Sequence, residues 1–199
     1  MAVAPTKVEV IDAIVRRLVG RGYENYRKGW VDLAISPDFR AWVGLNRAVV
    51  NGVTLVNPFV GVHAPNLMRL CSSLSGFPYD RGTATLAVHL GELAPDERVF
   101  DFSDSALLDQ EAGRLAQLCH GPGLAFSKSI ASYAALAPRL YERMGMLGGY
   151  PERYACCLAL QGLEDEALNY VVAAAAKEPD YLADFARSFA GRFGERSRS

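Results

Sequence analysis

Three histidines, His63, His89 and His120, are the side chains best suited to moving protons near neutral pH or holding a metal, and they are scattered along the 199 residues. None lies in a spaced carboxylate or cysteine motif. His89 falls on the polar parity of an alternating segment and His63 at the end of another, so the two meet on one sheet face if those strands are neighbours. With Asp32 or Tyr26 they define the pocket that a small enzyme or ligand-binding protein would use, between a sheet and the C-terminal helices. The competing account is a pair of ordinary polar-face or edge histidines.

Other chemistry is harder to find. A nucleophile elbow or a phosphate-cradling glycine loop needs a Gly-rich pattern between strand and helix, and neither pattern occurs. His120-Gly121-Pro122-Gly123 follows a helical stretch, where the dipole is negative and repels an anion, so it reads as an interhelical loop. Cys71, Cys119, Cys156 and Cys157 sit in apolar helical patterns without Cys-x-x-Cys spacing, which predicts buried thiols. No cofactor and no metal are expected, and the chain does not read as an enzyme.

Two surfaces have the composition of a binding face. Tyr23, Tyr26, Trp30 and Trp42 bracket a first hairpin with Arg21, Arg27, Lys28, Arg40 and Arg47 interleaved. That mixture serves single-stranded nucleic acid or a protein hot spot, or Trp30 and Trp42 simply pack as cross-strand neighbours. Asp96, Glu97, Asp101 and Asp104 bunch on expected loops and helix starts, followed by Asp109, Glu111 and the run Glu164 to Glu166. Acids at helix starts are explained by the dipole, and the remainder would complement a basic partner. Trp30, Trp42, Arg40, Asp96, Glu97, Asp101 and Asp104 are therefore the partner-binding candidates, with His63 and His89 the pocket candidates of the rival account.

The bulk composition sets the frame. Half the residues are hydrophobic, 22% are charged and the formal net charge is -1, which gives no general attraction to nucleic acid or anionic membrane. No long uncharged apolar stretch and no leader pattern is present, so a cytoplasmic protein without membrane contact is expected. The length suits a single domain over 1–199: a helix-plus-meander part (1–102), a helical part (103–193) and a flexible tail (194–199).

Periodicity predicts an α+β fold. Apolar residues at helical spacing over 6–21 follow a possible Thr6 cap with Glu9 three residues on. Strands are expected at Val31–Ile35, Phe39–Val50 and Val53–Val62, with Asn51-Gly52 as hairpin turn and Pro58 marking an edge or bulge. A crossover helix at Asn66–Leu74 precedes a fourth strand at Thr83–Leu90, an acidic loop over 91–97 and a weaker fifth strand at Val99–Phe102. From Ser103 the period is helical, stopped at His120–Gly123. Ser127 or Ser129 caps the next helix, which Pro138 must kink or break. Helices at Glu152–Gln161, Glu164–Lys177 and Asp180–Phe193 complete an antiparallel sheet of four to five strands with a helical C-terminal half.

This order of helix, meander with its Asn51-Gly52 turn, crossover helix, strand and helical region resembles the immunity proteins of bacterial contact-dependent and polymorphic toxin systems. The resemblance implies a stoichiometric inhibitor that binds a cognate toxin domain, and it assigns no functional residue. A homodimer through the helical half is the remaining possibility.

Overall fold

The computed structural model describes residues 4–27, 29–97, 100–144 and 150–194. Helix α1 (Lys7–Val19) starts where Thr6 and Glu9 cap each other: the Thr6 hydroxyl accepts the Glu9 N–H, and the Glu9 carboxylate accepts the Thr6 N–H at 2.8 Å. That backbone hydrogen bond, and then the Thr6 hydroxyl, hold the Glu9 carboxyl below its ordinary range. Val10, Ile11, Ile14 and Leu18 form the buried face of α1. Fully burying one such side chain is worth about 1.5–3 kcal/mol, so packing rather than the exposed cap fixes this helix in place.

The fold is α+β. Strands β1 (Glu24–Arg27), β2 (Trp30–Ser36), β3 (Phe39–Val50), β4 (Val53–His63) and β5 (Leu86–His89) form one sheet in that order, and β1 to β4 pair antiparallel. Asn51 (φ 51°) and Gly52 (φ 79°) both take left-handed backbone and close the β3–β4 hairpin at Val50–Val53, as their types predict. Pro58 pairs with Leu45 in mid-ladder. The Leu45 N–H donates to the Gly29 carbonyl on the β2 side, so its pair with Pro58 is non-hydrogen-bonded and the missing proline N–H points away from β3. That geometry lets proline sit in a strand with a neighbour on each side.

Four readings of this region need correction. β1 had no apolar alternation to reveal it, because all four of its residues are exposed. The strand expected at Thr83–Leu90 shrinks to β5: the Asp80 carboxylate draws the Gly82 N–H and Thr83 hydroxyl into a turn, and His89 caps the short helix α3 (Leu90–Leu93). Of the strand expected at Val99–Phe102, Val99 lies outside the described residues. Phe100 and Phe102 are buried but belong to no strand. The acidic loop over 91–97 is α3 followed by a 3-10 turn at Pro95–Glu97.

Trp42 lies across Gly44 on the sheet face that also carries Trp30 and Phe59. Gly44 pairs with both of those residues, and a Cβ on it would run into the indole ring. Gly44→Ala must therefore displace a large, buried ring. We expect a loss of about 1–3 kcal/mol in urea unfolding, with an altered near-UV circular dichroism band from Trp42.

Between β4 and β5 the chain forms α2 (Pro65–Ser75). After β5 and α3 come α4 (Leu108–Leu118), α5 (Leu124–Ser129), α6 (Tyr133–Glu142), α7 (Pro151–Ala159), α8 (Glu164–Lys177) and α9 (Pro179–Phe193). The expected stop at His120–Gly123 is instead a π-helical turn, Cys119–Gly123, that carries α4 into α5 with Pro122 inside it. Pro138 lies inside α6 rather than opening a new helix. Ser132, not Ser127 or Ser129, caps α6, and the Ser127 hydroxyl is buried, donating to the Gly61 carbonyl at 2.7 Å. The tail beyond Gly194 lies outside the described residues.

By contacts the chain divides into two compact units, Met1–His63 with Ala87–Ser129, and Ala64–Leu86 with Ile130–Ser199. The change of period at Ser103 thus falls inside the first unit. In that unit α1 and α4 bury Ile11, Ile14, Leu18, Ala112 and Leu115 with Val31, Val43, Leu45 and Val60 of the sheet. In the second, α7 packs on α2, α6 and α8, while α9 packs on α2 and α8. Phe185, Phe189 and Phe193 run down the buried face of α9 with ring centroids 5.7 and 4.7 Å apart. Among the described residues no helix is long and apolar enough to cross a membrane.

Candidate functional site

The helical unit concentrates tyrosine. Six of the chain's nine tyrosines fall between Tyr133 and Tyr181, and helical periods bring several of them to one place. Tyr141 on α6, Tyr154 on α7 and Tyr170 on α8 stack in sequence, with centroids 5.3 and 4.8 Å apart. The second pair meets edge-on, a geometry that adds attraction beyond the buried area, and the first is tilted. Tyr141, Tyr150, Tyr170 and Tyr181 line a groove of about 770 Å³ with Met144 and Leu182, while Lys177 and Glu178 supply its charged groups.

The phenols are good hydrogen-bond donors at neutral pH. Burial, reinforced by neighbouring tyrosines, pushes Tyr170 up to about 12, and its hydroxyl meets the Met144 sulfur at 3.4 Å. Burial and then the adjacent Glu152 carboxylate push Tyr181 up to about 12 as well. Tyr141 and Tyr181 are nevertheless more than half exposed, at 58% and 55%. Such rings present wide apolar faces with a polar tip, and each is ordered by only two side-chain torsions.

A smaller cleft of about 270 Å³ shares Tyr150 and Tyr181 with the groove and adds Met68, Cys71, Phe77, Asp80, Glu152 and Arg153. It is organised by the start of α7. Pro151 occupies the first helical turn, where its missing N–H costs no intrahelical bond, and Glu152 and Arg153 follow. Arg153 Nη1 donates to the Ala84 and Thr85 carbonyls, each at 3.0 Å, and its guanidinium carbon lies 3.9 Å from the Tyr150 ring centroid. Burial lowers the Arg153 pKa, and its surroundings of phenol, thiol and carboxylate partly oppose that shift.

The four cysteines are free and buried. Desolvation pushes Cys119 and Cys157 up to about 12 and raises Cys156 strongly, which removes thiolate character at neutral pH. The Cys71 thiol donates to the Glu152 carbonyl at 3.5 Å, and the Cys157 thiol to the Tyr133 carbonyl at 3.3 Å. Among the described residues no group of three or more His, Cys, Asp or Glu is placed to hold a metal.

The partner-binding and pocket candidates read from sequence lie in the first unit. Trp30 and Trp42 share a sheet face but are diagonal rather than directly opposed, since Trp30 pairs with Gly44 and Trp42 with Asp32. Arg27 lies over the Trp30 ring at 5.4 Å. Arg40 bridges Asp32 and Glu24, each at 2.7 Å. Of the acids, Asp101 accepts the Ser103 N–H and Asp104 the Ala106 N–H. Glu97 pairs with Arg114, and Asp96 is exposed in the 3-10 turn. His63 is fully buried at the end of β4. The His89 Nδ1 accepts the Gly91 N–H as a helix cap, and its ring meets Phe59 edge-on at 5.5 Å. Neither histidine lines the groove or the cleft.

Sequence reasoning missed Tyr141, Tyr150, Tyr170, Tyr181, Glu152 and Arg153. The available signal was the crowding of tyrosine after position 133. No protein-family model, curated protein or solved structure matches this chain.

Proposed function

We propose that the chain is a protein-binding module that holds a segment of one partner protein in the tyrosine-lined groove of its helical unit. The supporting observation is the convergence of Tyr141, Tyr150, Tyr170 and Tyr181 with Met144 around one groove. Tyrosine and methionine are enriched in protein interfaces, and lysine and glutamate, reduced here to Lys177 and Glu178, are depleted. The occupant that fits is a helical or extended segment with an apolar anchor among the rings and polar backbone or side-chain groups for the phenols. Stoichiometric inhibition of a toxin domain, as in the immunity proteins that the element order resembles, is one job such a groove would do. A cytoplasmic location accords with four free thiols.

The test is capture of the partner from the native host, with and without Tyr141→Ala and Tyr181→Ala. Both side chains are exposed, so the fold tolerates their loss. One protein recovered at about equal stoichiometry should bind each variant about 30-fold more weakly, the scale of a hot-spot residue. Charge reversal at Asp96 and Asp101 should leave binding within about threefold, because neither residue lines the groove. Equal binding by the groove variants sinks the proposal, as does recovery of the chain alone as a monomer or homodimer by light scattering.

A further inference from the structure

The smaller cleft holds two charged side chains whose hydrogen-bonding capacity is incompletely used, and the unused parts are of opposite sign. Glu152 Oε2 is buried without a hydrogen-bond partner among the described residues. Arg153 donates to Ala84 and Thr85 through Nη1 alone, leaving Nη2 and Nε without an acceptor there. Both residues line the same cleft. They are consecutive on α7, and side chains at i and i+1 of a helix diverge, so they do not satisfy each other.

The remaining walls narrow the ligand class. Asp80 adds a second carboxylate, whose oxygens each already accept one hydrogen bond, from the Gly82 N–H at 2.9 Å and the Thr83 hydroxyl at 3.1 Å. An anion alone would meet Glu152 and Asp80, and a cation alone would meet Arg153. A molecule carrying both charges a few bonds apart satisfies both ends. The cleft's 270 Å³ holds roughly nine waters at about 30 Å³ each, the size of a single amino acid rather than a peptide. Phe77, the most exposed large apolar side chain described at 74%, stands on its rim beside Met68 and would be covered by an apolar substituent.

We propose that this cleft binds a small zwitterion of the free α-amino-acid type. The ligand ammonium sits on Glu152, its carboxylate on the unused edge of Arg153, and its side chain against Phe77 and Met68. The site adjoins the protein-binding groove, with which it shares Tyr150 and Tyr181.

The experiment titrates the full chain calorimetrically with the standard free amino acids, then with two edited forms of the best binder. Its methyl ester lacks the carboxylate, and its N-acetyl derivative lacks the ammonium. We expect saturable binding of an apolar amino acid, weakened about tenfold or more by either edit, because each leaves one charged group of the cleft unanswered. Glu152→Gln should weaken the zwitterion about tenfold while leaving the N-acetyl form unchanged. Phe77→Ala, at an exposed position, should weaken binding of large apolar amino acids and spare glycine. No saturable binding by any free amino acid overturns the proposal, and so does an ester or N-acetyl form that binds as well as the parent. Those comparisons use the wild-type chain, so they decide the matter even if Glu152→Gln fails to fold.

Discussion

Replacing Arg40 by methionine is expected to cost about 3–5 kcal/mol of stability, measured by urea unfolding followed by circular dichroism. The Asp32 side chain is only 3% exposed, and Arg40, at 19%, meets its carboxylate at 2.7 Å. Methionine fills most of the arginine volume, so the loss measures the carboxylate's dependence on the cation rather than a cavity. The second partner, Glu24, is 60% exposed, and that bridge is screened by water, so Glu24→Gln should cost less than about 1 kcal/mol. Pairing Arg40→Met with Asp32→Leu should restore most of the loss, because a buried ion pair is often no more stable than apolar residues of similar size. If Arg40→Met alone costs less than about 1 kcal/mol, the ion pair does not hold these strands together.

The same cluster illustrates what a sequence conceals. Arg40 was a surface candidate by type, yet the β2–β3 register sets it beside Asp32, and its charge serves the sheet. Register follows from the turn and the buried parity. Where both were strong the reading succeeded: Asn51-Gly52 and the alternation on each side place β3 and β4 almost to the residue, and α8 has the predicted bounds. Where the local pattern was silent it failed. β1 is exposed throughout and has no alternation to read, and the π-helical turn at Cys119–Gly123 contains the glycines and proline that ordinarily mark a helix end.

Site legibility has a different limit. Helical periodicity shows which residues of one helix share a face, but not which faces of different helices meet. Tyr141, Tyr154 and Tyr170 come from three helices, and their stacking is fixed by how α6, α7 and α8 pack. Composition alone carried the hint. The acids that looked available for a partner, Asp101 and Asp104, are engaged by N–H groups two residues on, a local use that spacing cannot distinguish from a free surface charge.

Arg153→Ala is expected to cost about 2–4 kcal/mol in the same assay. Its guanidinium joins the first turn of α7 to the Ala84 and Thr85 carbonyls just before β5, and a hydrogen bond from a charged donor is worth about 1.5–3 kcal/mol. Partial exposure of the side chain keeps the total below the sum of two such bonds. Arg153→Lys should recover less than half of the loss: an ammonium reaches one carbonyl as a point charge, and it cannot reproduce the flat stacking on Tyr150. Tyr181→Ala, in the same cleft but 55% exposed, should change stability by less than about 1 kcal/mol. This contrast separates scaffold from surface within a few ångströms. Arg153 ties α7 to the backbone at Ala84 and Thr85 while Tyr181 is half exposed at the cleft wall, so equal stability losses at the two positions would mean that Tyr181 too is packing rather than surface.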